Sequence, residues 1–198
     1  MIDPVPAELN RNNLRDIFAR LAGVEAFVFF GTLLGCVRDG DIIPHDDDID
    51  IYVNARDRKK LLAALESSGF ELELHPRAKW YQFWRKPLVV QATRMQDGIK
   101  TYADFYFYDD SPADYLIERW NFAGLWRDPT TTIHVPKELI FPLQDTEMQG
   151  IPIRVPARPE EVCAFLYGPS WGTPVRKGEG YTMEISGNRP QFKLKAAS

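Results

Sequence analysis

The sequence predicts an α/β domain, a mixed β-sheet flanked by helices, with all 198 residues in one domain. Three observations carry that expectation. Apolar residues near the N-terminus recur at the three- and four-residue spacing of an amphipathic helix. In Asp48-Ile49-Asp50-Ile51-Tyr52-Val53 polar and apolar residues alternate with the two-residue period of a strand. From Phe70 to Tyr108, aromatic and β-branched runs are separated by proline, glycine and charged residues, the pattern of a strand meander.

Taken in order, Leu14, Ile17, Phe18 and Leu21 place a helix over Ala7 to Ala22, packed against the first strand. That strand is Val24 to Phe30, a short apolar run that breaks at Gly31-Thr32, where a tight turn must begin. A helix is expected over Leu33 to Asp39. In the second strand Ile49, Ile51 and Val53 face a core, which leaves Asp48 and Asp50 together on the opposite face. Leu61, Leu62 and Leu65 mark a helix over Ala55 to Ser67 with Gly69 as its stop, and Arg56, Arg58, Lys59 and Lys60 form its solvated face. The meander comprises Phe70–Leu74, Lys79–Trp84, Leu88–Met95 and Thr101–Tyr108, with Asp109 and Asp110 as turn residues. One face of the second run, carrying Trp80, Gln82 and Trp84, suits core packing better than base stacking. Pro129, Pro136, Pro142, Pro152 and Pro156 exclude long helices until a short one from Pro159 to Tyr167, ended by Gly168. The polar residues from Gly178 onward read as a loosely held end.

Composition narrows the partners. There are 24 Lys and Arg against 28 Asp and Glu, a formal charge of −4, and no basic run of the kind that binds long nucleic acid. A small substrate or a glycan end fits better. Cys36 and Cys163 lack metal-like spacing and read as buried thiols in a reducing compartment. His75 and His134 also lack ligand-like spacing. The first residues have no signal-like apolar stretch, and no run approaches the roughly 20 apolar residues of a membrane span. The expectation is therefore a cytoplasmic protein, with peripheral contact to a membrane-held acceptor still open.

The chemistry concentrates between Phe27 and Val53. Side chains two apart on a strand sit roughly 6.5 to 7 Å apart at Cα, so Asp48 and Asp50 can converge on divalent cations. Hard carboxylate oxygens suit Mg²⁺, or Mn²⁺ as the alternative, in neutralising the charge of a reacting phosphoanhydride. The Gly31-Thr32 turn lets backbone N–H groups approach a phosphate, and Arg38 offers a bidentate contact to one. Asp104 stands in a strand of Ala, Phe and Tyr, where a carboxylate is costly to bury unless it is paired, hydrogen-bonded or bound to metal.

Gly31-Thr32-Leu33-Leu34-Gly35, then Arg38, then Ile43-Pro44-His45-Asp46-Asp47-Asp48-Ile49-Asp50 resembles the hallmark of the LicD family, to which the fukutin-related proteins also belong. Ala103-Asp104-Phe105-Tyr106 resembles its later acidic strand, Phe141-Pro142, Gly150-Ile151-Pro152 and Val155-Pro156 its Pro-rich approach, and Tyr167-Gly168 with Trp171 and Pro174 its late aromatic segment. His45, and Pro169-Ser170 before the tryptophan, depart from the common pattern. The resemblance implies a nucleotidyltransferase fold in which Asp48, Asp50 and Asp104 hold metal and act in catalysis. Gly31, Thr32 and Arg38 would bind the donor, and Tyr167 and Trp171 would border the substrate cleft or anchor a Pro-rich loop. It implies metal-dependent transfer of a phospho-alcohol, such as phosphocholine or a polyol phosphate, from a CDP-activated donor to a sugar hydroxyl of a glycan.

Other readings use some of the same residues. A nucleotidyltransferase moving a nucleoside monophosphate from an NTP to a small molecule needs the same turn and carboxylates. A protein of this fold that binds nucleotide without catalysis would be expected to lack one of the acids, and none is missing. Asp46, Asp48, Asp50 and Asp57 fall at calcium-loop positions, but the place that needs a turning Gly is Ile51, within the strand pattern.

Overall fold

The computed structural model describes residues 5–44, 46–75, 89–110, 112–118, 133–174, 181–186 and 189–194. Helix α1 (Ala7–Phe18) buries Leu9, Leu14 and Ile17 along one stripe, and with them Asn10 and Asn13. It stops short of Ala22 because the chain turns into the first strand there, with Gly23 at a φ of 75°. Strand β1 (Ala26–Val28) is shorter than its apolar run, and α2 (Phe30–Arg38) begins earlier than the turn at Gly31-Thr32 suggested. Then follow β2 (Asp50–Asn54), a 3₁₀ turn (Ala55–Asp57), α3 (Arg58–Glu66) and β3 (Glu71–His75).

Strands β4 (Val89–Gln96) and β5 (Ile99–Asp110) form a long hairpin through Asp97 and Gly98. Both turn residues have positive φ, 51° and 80°, as a two-residue hairpin whose twist matches its strands requires. Beyond them lie β6 (Tyr115–Glu118), β7 (His134–Pro136) and the one-turn α4 (Lys137–Ile140). A separate hairpin, β8 (Gln144–Met148) with β9 (Ile151–Val155), precedes α5 (Pro159–Tyr167), which spans the residues expected of it. A second hairpin, β10 (Tyr181–Ser186) with β11 (Arg189–Leu194), closes the described chain.

The main sheet runs β1-β2-β5-β4-β3, with β6 on the end of β5 and β7 on β6. Strands β2 and β5 are parallel and the remaining pairs antiparallel, so the sheet is mixed, as the sequence predicts. Every residue of β2 is buried. Its alternation therefore does not divide core from solvent: a parallel strand inside a sheet is covered on both faces. Ile51 and Val53 lie in the core as expected, while Tyr52 on the other face stacks on Phe29 with ring centroids 3.8 Å apart.

Other sequence expectations need correction. Asp109 and Asp110 are the last residues of β5, paired with Ile117 and Leu116, because β6 extends the ladder where turn residues were expected. The supposedly loose end contains β10 and β11, whose pairing is made by backbone groups and leaves little apolar periodicity to read. His45 and the run Lys79–Trp84, with its tryptophan face, lie outside the described residues.

Candidate active site

Asp50 opens β2, and its register partner across the parallel ladder is Asp104 on β5. The junction begins one residue earlier. The Ile49 N–H donates to the Tyr102 carbonyl (3.1 Å), and the Asp104 N–H donates to the Ile49 carbonyl (2.7 Å). From the other side, α2 grips the same aspartate twice. The Gly31 N–H donates to Asp50 Oδ2 (2.9 Å), and the Asp50 N–H donates to Thr32 Oγ1 (2.8 Å).

Local sequence explains that grip. A Cβ on Gly31 would lie 2.9 Å from Asp46 Oδ2 and 3.1 Å from Asp50 Oδ2, so glycine leaves room for two carboxylates of the chain itself. Phe30, at a φ of 40°, takes the left-handed conformation that swings the chain sharply into α2, and its ring sits edge-on to Tyr106 and Tyr52. Further along α2, a Cβ on Gly35 would come within 2.5 Å of the Asp41 carbonyl oxygen. That glycine lets the following loop fold back against the helix and deliver its acids to the start of β2.

The loop brings Asp46, Asp47 and Asp48 together, with one carboxylate oxygen of each within 4.8 Å of the others. Asp48 immediately precedes β2, and its charge reaches Asp50. It belongs to the loop cluster. Burial first, and then the charges of Asp48, Asp46 and Asp104, push the Asp50 carboxyl well above the usual carboxylate range, against the pull of the Gly31 N–H. Asp104 is also raised, chiefly by burial. Opposing that shift, Gln91 Nε2 donates to Asp104 Oδ1 at 3.0 Å, and His75 and the Tyr106 hydroxyl favour the charged form as well.

Carboxylates crowded in this way repel one another, and a hard divalent cation is the group that would relieve them. The donor set fits such an ion. Asp46, Asp47 and Asp48, with Asp50 beside them, could hold it.

The structure thus assembles Asp48, Asp50 and Asp104, and gives Gly31 and Thr32 the task of orienting Asp50. It does not bring Arg38 to them. That side chain leaves the last turn of α2, about 10 Å along the axis from Gly31, and its guanidinium is bidentate on Asp39 at 2.9 and 2.7 Å. Tyr167 ends α5 and lies within electrostatic reach of Arg38. Trp171 packs on the core from a turn in which its N–H donates to the Gly168 carbonyl, 3.2 Å away.

In the sequence Asp46 enters as a ligand only at a calcium-loop position and Asp47 not as a ligand at all, although both stand in the same acidic run as Asp48. Gln91 and Tyr106 carried no signal that could be read without register. Gln91 is the cross-strand partner of Asp104, and Tyr106 lies two residues along the same face. His75 lacks ligand-like spacing in the sequence, yet it falls within electrostatic reach of Asp104. His134 is a packing residue, stacked on Tyr115 with ring centroids 4.4 Å apart. Burial pushes the Cys163 thiol up to about 12, which leaves it protonated and unreactive at neutral pH.

The sequence profile of the LicD/FKTN/FKRP nucleotidyltransferase domain matches residues 23–158, from the turn before β1 to the residue before α5. The chain belongs to the LicD/FKTN/FKRP family. It is accordingly a transferase of phosphorus-containing groups with a nucleotidyltransferase-type fold. Its paired acids on β2 and β5 and its acidic loop all fall inside the LicD match. No curated protein matches the chain in sequence. Among solved structures it is similar to the lincosamide antibiotic adenylyltransferase LnuA bound to lincomycin, at 16% identity over 76% of this chain and 80% of that one, with a TM-score of 0.48. It is also similar to ANT(2'')-Ia in complex with adenylyl-2''-tobramycin, at 15% identity over 74% of this chain and 68% of that one, with a TM-score of 0.44. Among the described residues no helix is long and apolar enough to cross a membrane.

Proposed function

We propose that this LicD-family protein is a metal-dependent phosphotransferase. It moves a phospho-alcohol, of the phosphocholine or polyol-phosphate type, from a CDP-activated donor to a sugar hydroxyl of a glycan. The observation that supports this reading best is the pairing of Asp50 with Asp104 across the β2–β5 ladder, inside a LicD domain. In the reaction the acceptor oxygen forms a bond to the phosphorus that carries the alcohol. The bond from that phosphorus to the bridging oxygen breaks, and CMP leaves with the electron pair.

Asp46, Asp47, Asp48 and Asp50 would hold Mg²⁺ or Mn²⁺, which supplies Lewis-acid stabilisation of the charge developing on the phosphoryl oxygens. Asp104 accepts the proton of the attacking hydroxyl. Burial raises its basicity toward working pH, and the Gln91 amide fixes its orientation. Gly31 and Thr32 hold Asp50 in place through both its carboxylate and its backbone N–H. Arg38 would meet the donor diphosphate only by exchanging Asp39 for it.

The test begins with melting temperatures in Mg²⁺. CDP is expected to raise the melting temperature more than ADP or GDP, and equal shifts would remove the cytidine assignment. A CDP-alcohol incubated with a sugar acceptor should then release CMP. Release of pyrophosphate from CTP with the same acceptor, in place of CMP from the CDP-alcohol, would instead make the protein a nucleotidyltransferase.

A further inference from the structure

Two adjacent residues of α1 reach the loop between α2 and β2, one toward each end of it. Arg11 Nη1 pairs with Asp41 Oδ2 at 2.8 Å. Asp41 is itself fixed, since its N–H donates to the Gly35 carbonyl and its Oδ1 accepts from the Ile42 N–H. Asn10 Nδ2 donates to the Asp46 carbonyl at 3.0 Å. Asn10 is fully buried, and its Oδ1 has no hydrogen-bond partner among the described residues. A buried amide with an orphaned acceptor costs free energy that an apolar residue in the same stripe would avoid. What that amide supplies is a bond to the backbone of the first acid in the run Asp46–Asp48. Helix α1 lies outside residues 23–158, the part of the chain that the family profile matches.

We propose that α1 is a positioning element for the cation site, with Asn10 and Arg11 pinning the loop that carries Asp46, Asp47 and Asp48. This inference rests on the reading that those carboxylates hold a divalent cation. Neither residue touches cation or substrate; both act through the loop. A loop held in place before the ion arrives loses less conformational entropy on binding, so the clamp contributes to affinity. Asn13 is the internal comparison. It is equally buried on the same helix, but its Oδ1 accepts from Gln96 Nε2 of β4 (2.8 Å) instead of holding the acidic loop.

The experiment titrates the full chain with Mn²⁺ alone and follows unbound Mn²⁺ by electron paramagnetic resonance, with the melting temperature measured beside it. Asn10→Ala is expected to weaken Mn²⁺ binding about tenfold, equivalent to about 1.4 kcal/mol. Arg11→Ala should weaken it several-fold, whereas Asn13→Ala lowers the melting temperature and leaves Mn²⁺ affinity at the wild-type value. Wild-type affinity in both Asn10→Ala and Arg11→Ala overturns the proposal, and so does an equal loss in Asn13→Ala. If Asn10→Ala does not fold, Arg11→Ala decides alone, because it alters a partly exposed pair. A wild-type chain that takes up no Mn²⁺ removes the cation reading itself, and this inference with it.

Discussion

Asp50 and Asp104 stand side by side on parallel strands, and a different donor steadies each carboxylate: the Gly31 N–H for Asp50 and the Gln91 amide for Asp104. Register partners on neighbouring strands lie about 4.8 Å apart, close enough for the Asp104 charge to add to the rise in the Asp50 pKa. The division of labour follows from the partners. Asp50 is enclosed by α2 and the acidic loop, which the proposed function makes the cation side. Asp104 faces Gln91, Tyr106 and His75, which favour its charged form, as the proposed proton-accepting role requires.

Asp104→Asn should fold and lose turnover by about a hundredfold or more, the scale of a missing general base. Asparagine keeps the shape, and its carbonyl oxygen can still accept from Gln91. Turnover at saturating Mg²⁺ and donor, with the ligand-free melting temperature beside it, checks this. Near-normal turnover would remove Asp104 from the chemistry.

Asp50→Asn should raise the melting temperature of the metal-free protein at neutral pH and abolish its response to Mg²⁺. The sign follows from the raised pKa of the folded carboxyl. A folded-state pKa above the unfolded value of about 3.9 gives stability that is fully present below that value and lost as pH rises through the folded one. The difference between variant and wild type should therefore shrink as pH falls toward about 4. A variant that melts below wild type at neutral pH, or that still responds to Mg²⁺, would show that Asp50 is not the charged cation-side group.

Gly31→Ala and Gly35→Ala should fail in different ways. At position 31 the added Cβ meets the side-chain oxygens of Asp46 and Asp50, which can shift, so the fold persists and the Mg²⁺-induced rise in melting temperature is lost. At position 35 it meets the backbone, 2.5 Å from the Asp41 carbonyl oxygen and 3.0 Å from the Ile43 nitrogen. Overpacking against atoms that cannot yield costs about 1–3 kcal/mol, read as a lower melting temperature. A Gly35→Ala protein as stable as wild type would show that the loop does not dock on α2 in solution.

The sequence by itself determined the elements whose physics is local. Three- and four-residue spacing placed α1 and α3, a proline and a glycine bracketed α5 to the residue, and strand periodicity placed most of β2, β4 and β5. The family hallmark was also legible, because Gly31, Thr32 and the run to Asp50 are contiguous and chemically unusual. Tertiary structure decided the rest. That Asp50 pairs with Asp104 depends on a parallel register between strands some fifty residues apart, which no local pattern encodes. That Asp48 joins Asp46 and Asp47 depends on a loop folded back through the space Gly35 leaves and tied to α1 by Asn10 and Arg11. Arg38 shows the same limit from the other side. Its charge and its place after the glycine turn were visible, but only the direction in which the last turn of α2 points commits its fork to Asp39. Which residues a chain contains is written in sequence; which carboxylates share a few ångströms is set by long-range backbone pairing and by the close approaches that glycine permits.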